Sequence, residues 1–182
     1  MLRTPAPLIG ALGVKNMTAI KPDAAFLAAL RGEDELGAVV RAHLHVEAEL
    51  NELLNTLIPA PKHFESMNLS YANKAKLACA LGLKEEYLQP LQKLGTLRNA
   101  FGHRLDTTIT EKVIDELYNS FSVDSKRLMN DSYNLTSEQL PAGVPATLQK
   151  LDPRSKFIFI AVALKAEIEL ATNEAKGRKL DT

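Results

Sequence analysis

Between residues 34 and 58 the apolar side chains recur every three to four positions, and this run constrains the fold more than any other feature of the chain. Turned at about 100° per residue, Leu36, Val39, Val40, Val46, Leu50, Leu53, Leu54, Leu57 and Ile58 share one broad stripe. Glu33, Asp34 and Glu35 suit the positive N-terminal end of such a helix, and Pro59 and Pro61 stop it. A long helix with one apolar face must bury that face against other elements. Helical patterns with matching punctuation supply them. One covers 22–31 and ends at Gly32. Another covers 70–81, with Ser70 as N-cap and Gly82 as the stop. A third runs from the 84–90 region through 101, where Pro90 either kinks the helix or marks the start of its regular part. Two more cover 110–121 and, after Asp152-Pro153, 154–176. No stretch alternates with period two for long enough to read as a strand.

The 182 residues, 46% of them hydrophobic, suffice for one core without disulfides or metals. Trp is absent and aromatic residues are few, so Leu, Ala, Val and Ile must fill it, which suits helix-on-helix packing. The expectation is an all-α, up-down bundle of about four to five main helices. Residues 1–20, broken by Pro5 and Pro7, read as an N-terminal arm, and 21–122 as the helical core. Residues 123–152, rich in Ser, Asn and Asp, read as a loop excursion with at most a short helical turn. Residues 153–182 read as a C-terminal helix packing on the core.

Several function classes drop out. The sole cysteine, Cys79, lies in a small apolar run and reads as an inert buried thiol. No Gly-x-Ser-x-Gly elbow is present. The opening residues do not make a signal peptide, and no apolar run approaches the ~18 residues that span a bilayer, so a cytoplasmic protein with no membrane partner is expected. Basic and acidic residues balance at 22 each, which disfavours a DNA-coating role but not brief RNA contact at one local site. The basic run Lys176, Arg178 and Lys179 suits a solvated helix end, with phosphate contact as the sharper alternative.

Two polar groups interrupt the stripe of 34–58. His43 falls near its centre and Glu47 one turn later, whereas Arg41, His45, Glu49 and Glu52 fall off-centre or outward. The helix through 101 repeats the pattern, with Arg98 inside a stripe of Tyr87, Leu91, Leu94, Leu97 and Phe101. A buried guanidinium cannot shed its proton and must be paired. Glu47 is the expected partner, with His43 alongside. Periodicity leaves two readings open: an ion pair that fixes helix register, or the floor of a functional cleft. His43 and Glu47, four apart, also offer two metal ligands, but the paired Glu-x-x-His motifs of a bundle metal site are missing and His63 stands alone near Pro61.

The string Arg98-Asn99-Ala100-Phe101-Gly102-His103 resembles the signature of HEPN domains, with Asn99 in the polar position and four residues between Arg98 and His103. The resemblance spans roughly 34–121, and within that superfamily the chain is also similar to the mannitol-operon repressor-like group. It implies a helical bundle that dimerises so that two motifs face one another across a cleft. Many such proteins are metal-independent endoribonucleases of toxin–antitoxin and phage-defence systems; others are catalytically silent regulatory or protein-binding modules. The active reading makes Arg98, Asn99 and His103 catalytic, with Glu47, His43 and Arg104 supporting and no cofactor or metal. Its partners are RNA, an antitoxin or other protein, and a second copy of the chain. Imidazole suits general acid–base work and guanidinium grips phosphate. Asn99 would orient His103 or the phosphate, and Gly102 would loosen the helix end. The bland reading makes His103 a residue near a helix end, complementing the helix dipole together with Arg104. The silent reading acts through protein contacts or transcriptional control, and no basic recognition helix stands out for direct DNA binding.

Overall fold

The computed structural model describes residues 23–104, 106–137 and 145–180. Among them the regular structure is entirely helical, with eight α-helices: α1 (Ala24–Arg31), α2 (Glu35–Leu57), α3 (Pro61–Ser66), α4 (Tyr71–Ala80), α5 (Leu88–His103), α6 (Glu111–Asn119), α7 (Val123–Ser137) and α8 (Pro153–Leu180). Short 3-10 turns at Glu85–Tyr87 and Leu148–Lys150 lead into α5 and α8. The expected arm at 1–20 lies outside the described residues.

Local chemistry starts and stops these helices where the sequence suggests. Asp23, Asp34, Ser70 and Thr110 cap α1, α2, α4 and α6, each side chain accepting a backbone N–H three residues on. Pro90 sits in the first turn of α5, where its missing N–H leaves no intrahelical bond unmade. Gly82, at φ 114°, supplies the left-handed turn after α4.

Helix α2 is the axis of the molecule, packing against α1, α4, α5 and α8. Ala38, Val39, Ala42, Val46, Leu50, Leu53 and Leu54 on α2 are all fully buried. Helix α8 answers with Phe157, Ile160, Ala161, Leu164, Ile168 and Ala171. At the start of α8 the Arg154 guanidinium donates to the carbonyls of Leu30, Arg31 and Glu33, so it closes the C-terminal end of α1. Glu35 in the first turn of α2 accepts the Ile109 N–H at 2.8 Å and pins the α5–α6 connection.

Two expectations need correction. The stretch 123–152 is not a loop excursion: its first half is α7, which buries Ser125, Met129, Ser132 and Tyr133 on one face. The spacing is helical, but two of the four inward residues are serines, so the stripe carries no hydrophobic signal. Pro61, expected only to help stop α2, also starts the short helix α3 from its first position, where Pro is favoured. With these additions the helix count among the described residues exceeds the four or five expected.

Candidate functional site

Four polar residues on α2 stand at steps of four: His43, Glu47, Asn51 and Asn55. Such a step advances about 40° around a helix, so they form a slowly winding ladder along one side of α2. His43 is only 6% exposed, and the other three are half-buried. Helix α4 lies over the ladder and contributes Tyr71 and Lys74. The Lys74 Nζ meets Glu47 Oε1 at 2.7 Å, while Glu47 Oε2 lies 3.8 Å from His43 Nδ1. The Tyr71 ring tilts against the His43 ring with centroids 4.2 Å apart. Gly95 on α5 makes room for it, since a Cβ there would stand 3.0 Å from Tyr71 Cδ1 and Cε1.

This side of the molecule carries unmet hydrogen-bonding capacity. Buried side-chain atoms without a partner include His43 Nδ1, Tyr71 Oη and the Oδ1 atoms of Asn51 and Asn55. Burial holds the His43 imidazole below its ordinary range; Glu47 works against that shift, while Arg98 and Lys74 reinforce it. The neutral ring is therefore the favoured form at neutral pH. Burial, assisted by the Glu47 carboxylate, pushes the Tyr71 phenol up, so it remains a hydrogen-bond donor.

Two cavities open along the ladder. A groove of about 750 Å³ is lined by His43 and Glu47 from α2, Tyr71 and Lys76 from α4, and Arg98 and Asn99 from α5, among others. A pocket of about 410 Å³ follows it, lined by Asn51, Asn55, Phe64, Glu65, Asn68, Leu69 and Lys74. Leu69 borders both, and Lys74 on the pocket wall is ion-paired to Glu47 on the groove wall.

The site residues read from the sequence divide accordingly. The structure brings His43, Glu47, Arg98 and Asn99 around one groove. His43 and Glu47 point inward as their positions on the stripe require. Arg98 does not meet the expectation of a buried guanidinium held by Glu47. It is exposed, its Nη1 donates to Asn99 Oδ1 at 3.2 Å, and Lys74 occupies the Glu47 carboxylate instead. The reason is geometric. Arg98 sits at the edge of the α5 stripe beside Leu97, free to reach solvent, whereas α4 passes directly over Glu47. His103 and Arg104 are exposed at the last turn and C-cap of α5 and do not line the groove. Five residues along a helix rotate by about 140°, which separates His103 from Arg98 on a single protomer. Gly102 lies in the last turn of α5, which ends at His103.

Reading by sequence missed Asn51, Asn55, Tyr71 and Lys74. The step of four from His43 and Glu47 was the available signal for the asparagines; nothing local marked the other two. The Cys79 thiol is pushed up to about 11 by burial and by Glu85, which keeps it protonated and un-nucleophilic at neutral pH. Among the described residues no three His, Cys, Asp or Glu side chains converge to hold a metal, and no helix is long and apolar enough to cross a membrane. Comparison with protein-family models, curated proteins and solved structures finds no match for this chain.

Proposed function

We propose that the chain is a HEPN-like, metal-independent endoribonuclease that binds RNA phosphate in the α2–α4–α5 groove and acts as a homodimer. The observation that carries this reading is the state of Arg98. Its guanidinium stands on the groove wall with no carboxylate partner among the described residues, next to the exposed Asn99 carboxamide. A guanidinium fork without a protein counter-ion suits two phosphate oxygens.

The chemistry needs no external nucleophile. The ribose 2′-oxygen attacks the adjacent phosphorus, its proton passes to a base, and the 5′-oxygen leaves with a proton from an acid. The products are a 2′,3′-cyclic phosphate end and a 5′-hydroxyl end. Arg98 stabilises charge on the phosphorane, and Asn99 orients it. His103 is displaced from the groove of its own protomer, so in this reading the exposed α5 ends of two copies bring two imidazoles together, one as base and one as acid.

The test is incubation of purified protein with RNA in EDTA. Wild type yields cyclic-phosphate ends, and Arg98→Ala and His103→Ala each slow cleavage by about 100-fold or more. Equal cleavage by all three proteins overturns the assignment. The placement of His103 outside the groove favours a second reading, a catalytically silent HEPN-like module that acts as a regulator or binds a protein partner such as an antitoxin. Expression separates the two. Growth arrest relieved by Arg98→Ala belongs to the nuclease, and unaffected growth belongs to the silent module.

A further inference from the structure

The groove that Arg98 lines has a second end, which the chemistry just described leaves without a role. Helices α4 and α5 follow one another through a short connection and so run antiparallel. Tyr71, at the start of α4, packs on Gly95 midway along α5. Lys76, further along α4, therefore lies towards the beginning of α5, where Gln92 shares the lining with it. Arg98 and Asn99 stand past Gly95 at the opposite end. From Gln92 to Asn99 the lining follows the axis of α5 for about 10 Å. Each end thus carries one cation and one carboxamide. Like Arg98, Lys76 is exposed and has no carboxylate partner among the described residues. Glu47, the acid of the lining, is already met by the Lys74 Nζ at 2.7 Å, and burial favours the neutral form of His43. The chain as a whole carries no net charge, so two unmet cations along one groove are a local surplus.

We propose that Lys76, with Gln92 beside it, is a second phosphate contact, so that the groove holds one RNA strand by two of its phosphates. The proposal deepens the RNA reading of this groove and rests on it. A phosphate held at the Arg98 end alone fixes one point on a strand. A second contact about 10 Å away along α5 fixes the strand's course as well. The Lys76 ammonium supplies a point charge for phosphate oxygens, and the Gln92 carboxamide supplies N–H donors. Neither group reads a base, so the contact is ionic and indifferent to sequence. Its signature is therefore a dependence on salt.

The experiment is fluorescence anisotropy with 2′-O-methyl oligo(U), which lacks the attacking hydroxyl and so reports binding alone, titrated over a range of salt concentrations. Each phosphate contact on a single strand adds about 0.7 to the slope of log affinity against log salt. Lys76→Gln therefore flattens the slope by about 0.7 and weakens binding about fivefold at roughly 0.1 M salt. Arg98→Gln flattens it at least as much, and the two losses add in the double variant. Lys150→Gln, at an exposed lysine outside the groove, changes neither quantity. All three positions are exposed, so the variants keep the fold. A slope unchanged by Lys76→Gln but flattened by Arg98→Gln overturns the second contact and leaves the groove reading standing. An equal loss in Lys150→Gln overturns it too, because the effect is then one of overall charge. No binding by wild type, or no loss in Arg98→Gln, overturns the groove reading and the second contact with it.

Discussion

Unpartnered polar atoms occur in two different settings in this fold. On the α4 side of α2 they belong to His43, Asn51, Asn55 and Tyr71, residues that also line open cavities. On α8, Glu167 presents one within the core. It is 3% exposed and packed near buried Leu164, Ile168 and Ala171; its Oε2 accepts from Ser125 Oγ at 3.3 Å, and its Oε1 has no partner. The two settings resolve the same difficulty differently. Glu167 can take up a proton: burial, reinforced by Glu86 and opposed by the Ser125 hydrogen bond and Lys84, raises its carboxyl to about 8. An asparagine carboxamide has no neutralising step open to it.

The comparison breaks first on α2 itself, where ladder and core residues alternate. Leu50 is fully buried, and Leu50→Ala leaves a cavity that lowers stability by about 3 kcal/mol, measured by urea unfolding. Should Leu50→Ala cost no more than a ladder substitution, the division of α2 into a core face and a site face is wrong.

Next comes the sealed carboxyl, whose effect has a definite sign. In the unfolded chain Glu167 ionises near 4.5, and in the fold near 8. Its contribution is therefore fully present below about pH 4.5 and is lost as pH rises towards 8, at up to ~1.4 kcal/mol per unit. Glu167→Gln flattens this slope and stabilises the protein at pH 8. His43 works the other way. Its folded-state value lies below 6.5, so its contribution is present above pH 6.5 and is lost as pH falls further. Stability measured by thermal unfolding across pH 5 to 8 carries both slopes, and His43→Phe removes the acid-side one. A slope on the alkaline side that persists in Glu167→Gln contradicts the protonated state of this group.

A smaller loss is expected where the ladder is already satisfied. Glu47→Ala leaves the Lys74 ammonium half-buried without its 2.7 Å partner. Both side chains retain some solvent, so the cost is about 1–2 kcal/mol, below that of a fully buried broken pair. Lys74→Met in the Glu47→Ala background recovers part of it. A double variant no more stable than Glu47→Ala would place the loss elsewhere than in the stranded ammonium.

The legibility of the molecule follows the same division. Apolar periodicity announces α2, and the caps at Asp34, Ser70 and Thr110 announce where helices begin, because these signals are local. The inward positions of His43 and Glu47 follow from the same wheel. Partner choice does not, because Lys74 and Glu47 lie 27 residues apart and meet only once α4 folds across α2. Arg98, at a stripe's edge, is equally compatible with burial and with solvent until that packing is set. Helix α7 is hidden for a related reason, since serines face inward at Ser125 and Ser132 and erase the contrast between its sides. Asn51 and Asn55 read as surface residues, which most asparagines are, even though their spacing continues the His43–Glu47 series.

The smallest effect discriminates best. Replacing a buried, unsatisfied carboxamide with an apolar group of similar volume removes a desolvation penalty and no hydrogen bond. Asn55→Leu is therefore neutral, or stabilising by up to about 1 kcal/mol, in urea unfolding, although an Asn→Leu change in a satisfied polar network is destabilising. A gain in stability is the signature of a residue that is not retained for the fold. A loss of 2 kcal/mol or more would show that the Asn55 oxygen has a structural partner, and that the ladder below Glu47 belongs with the core.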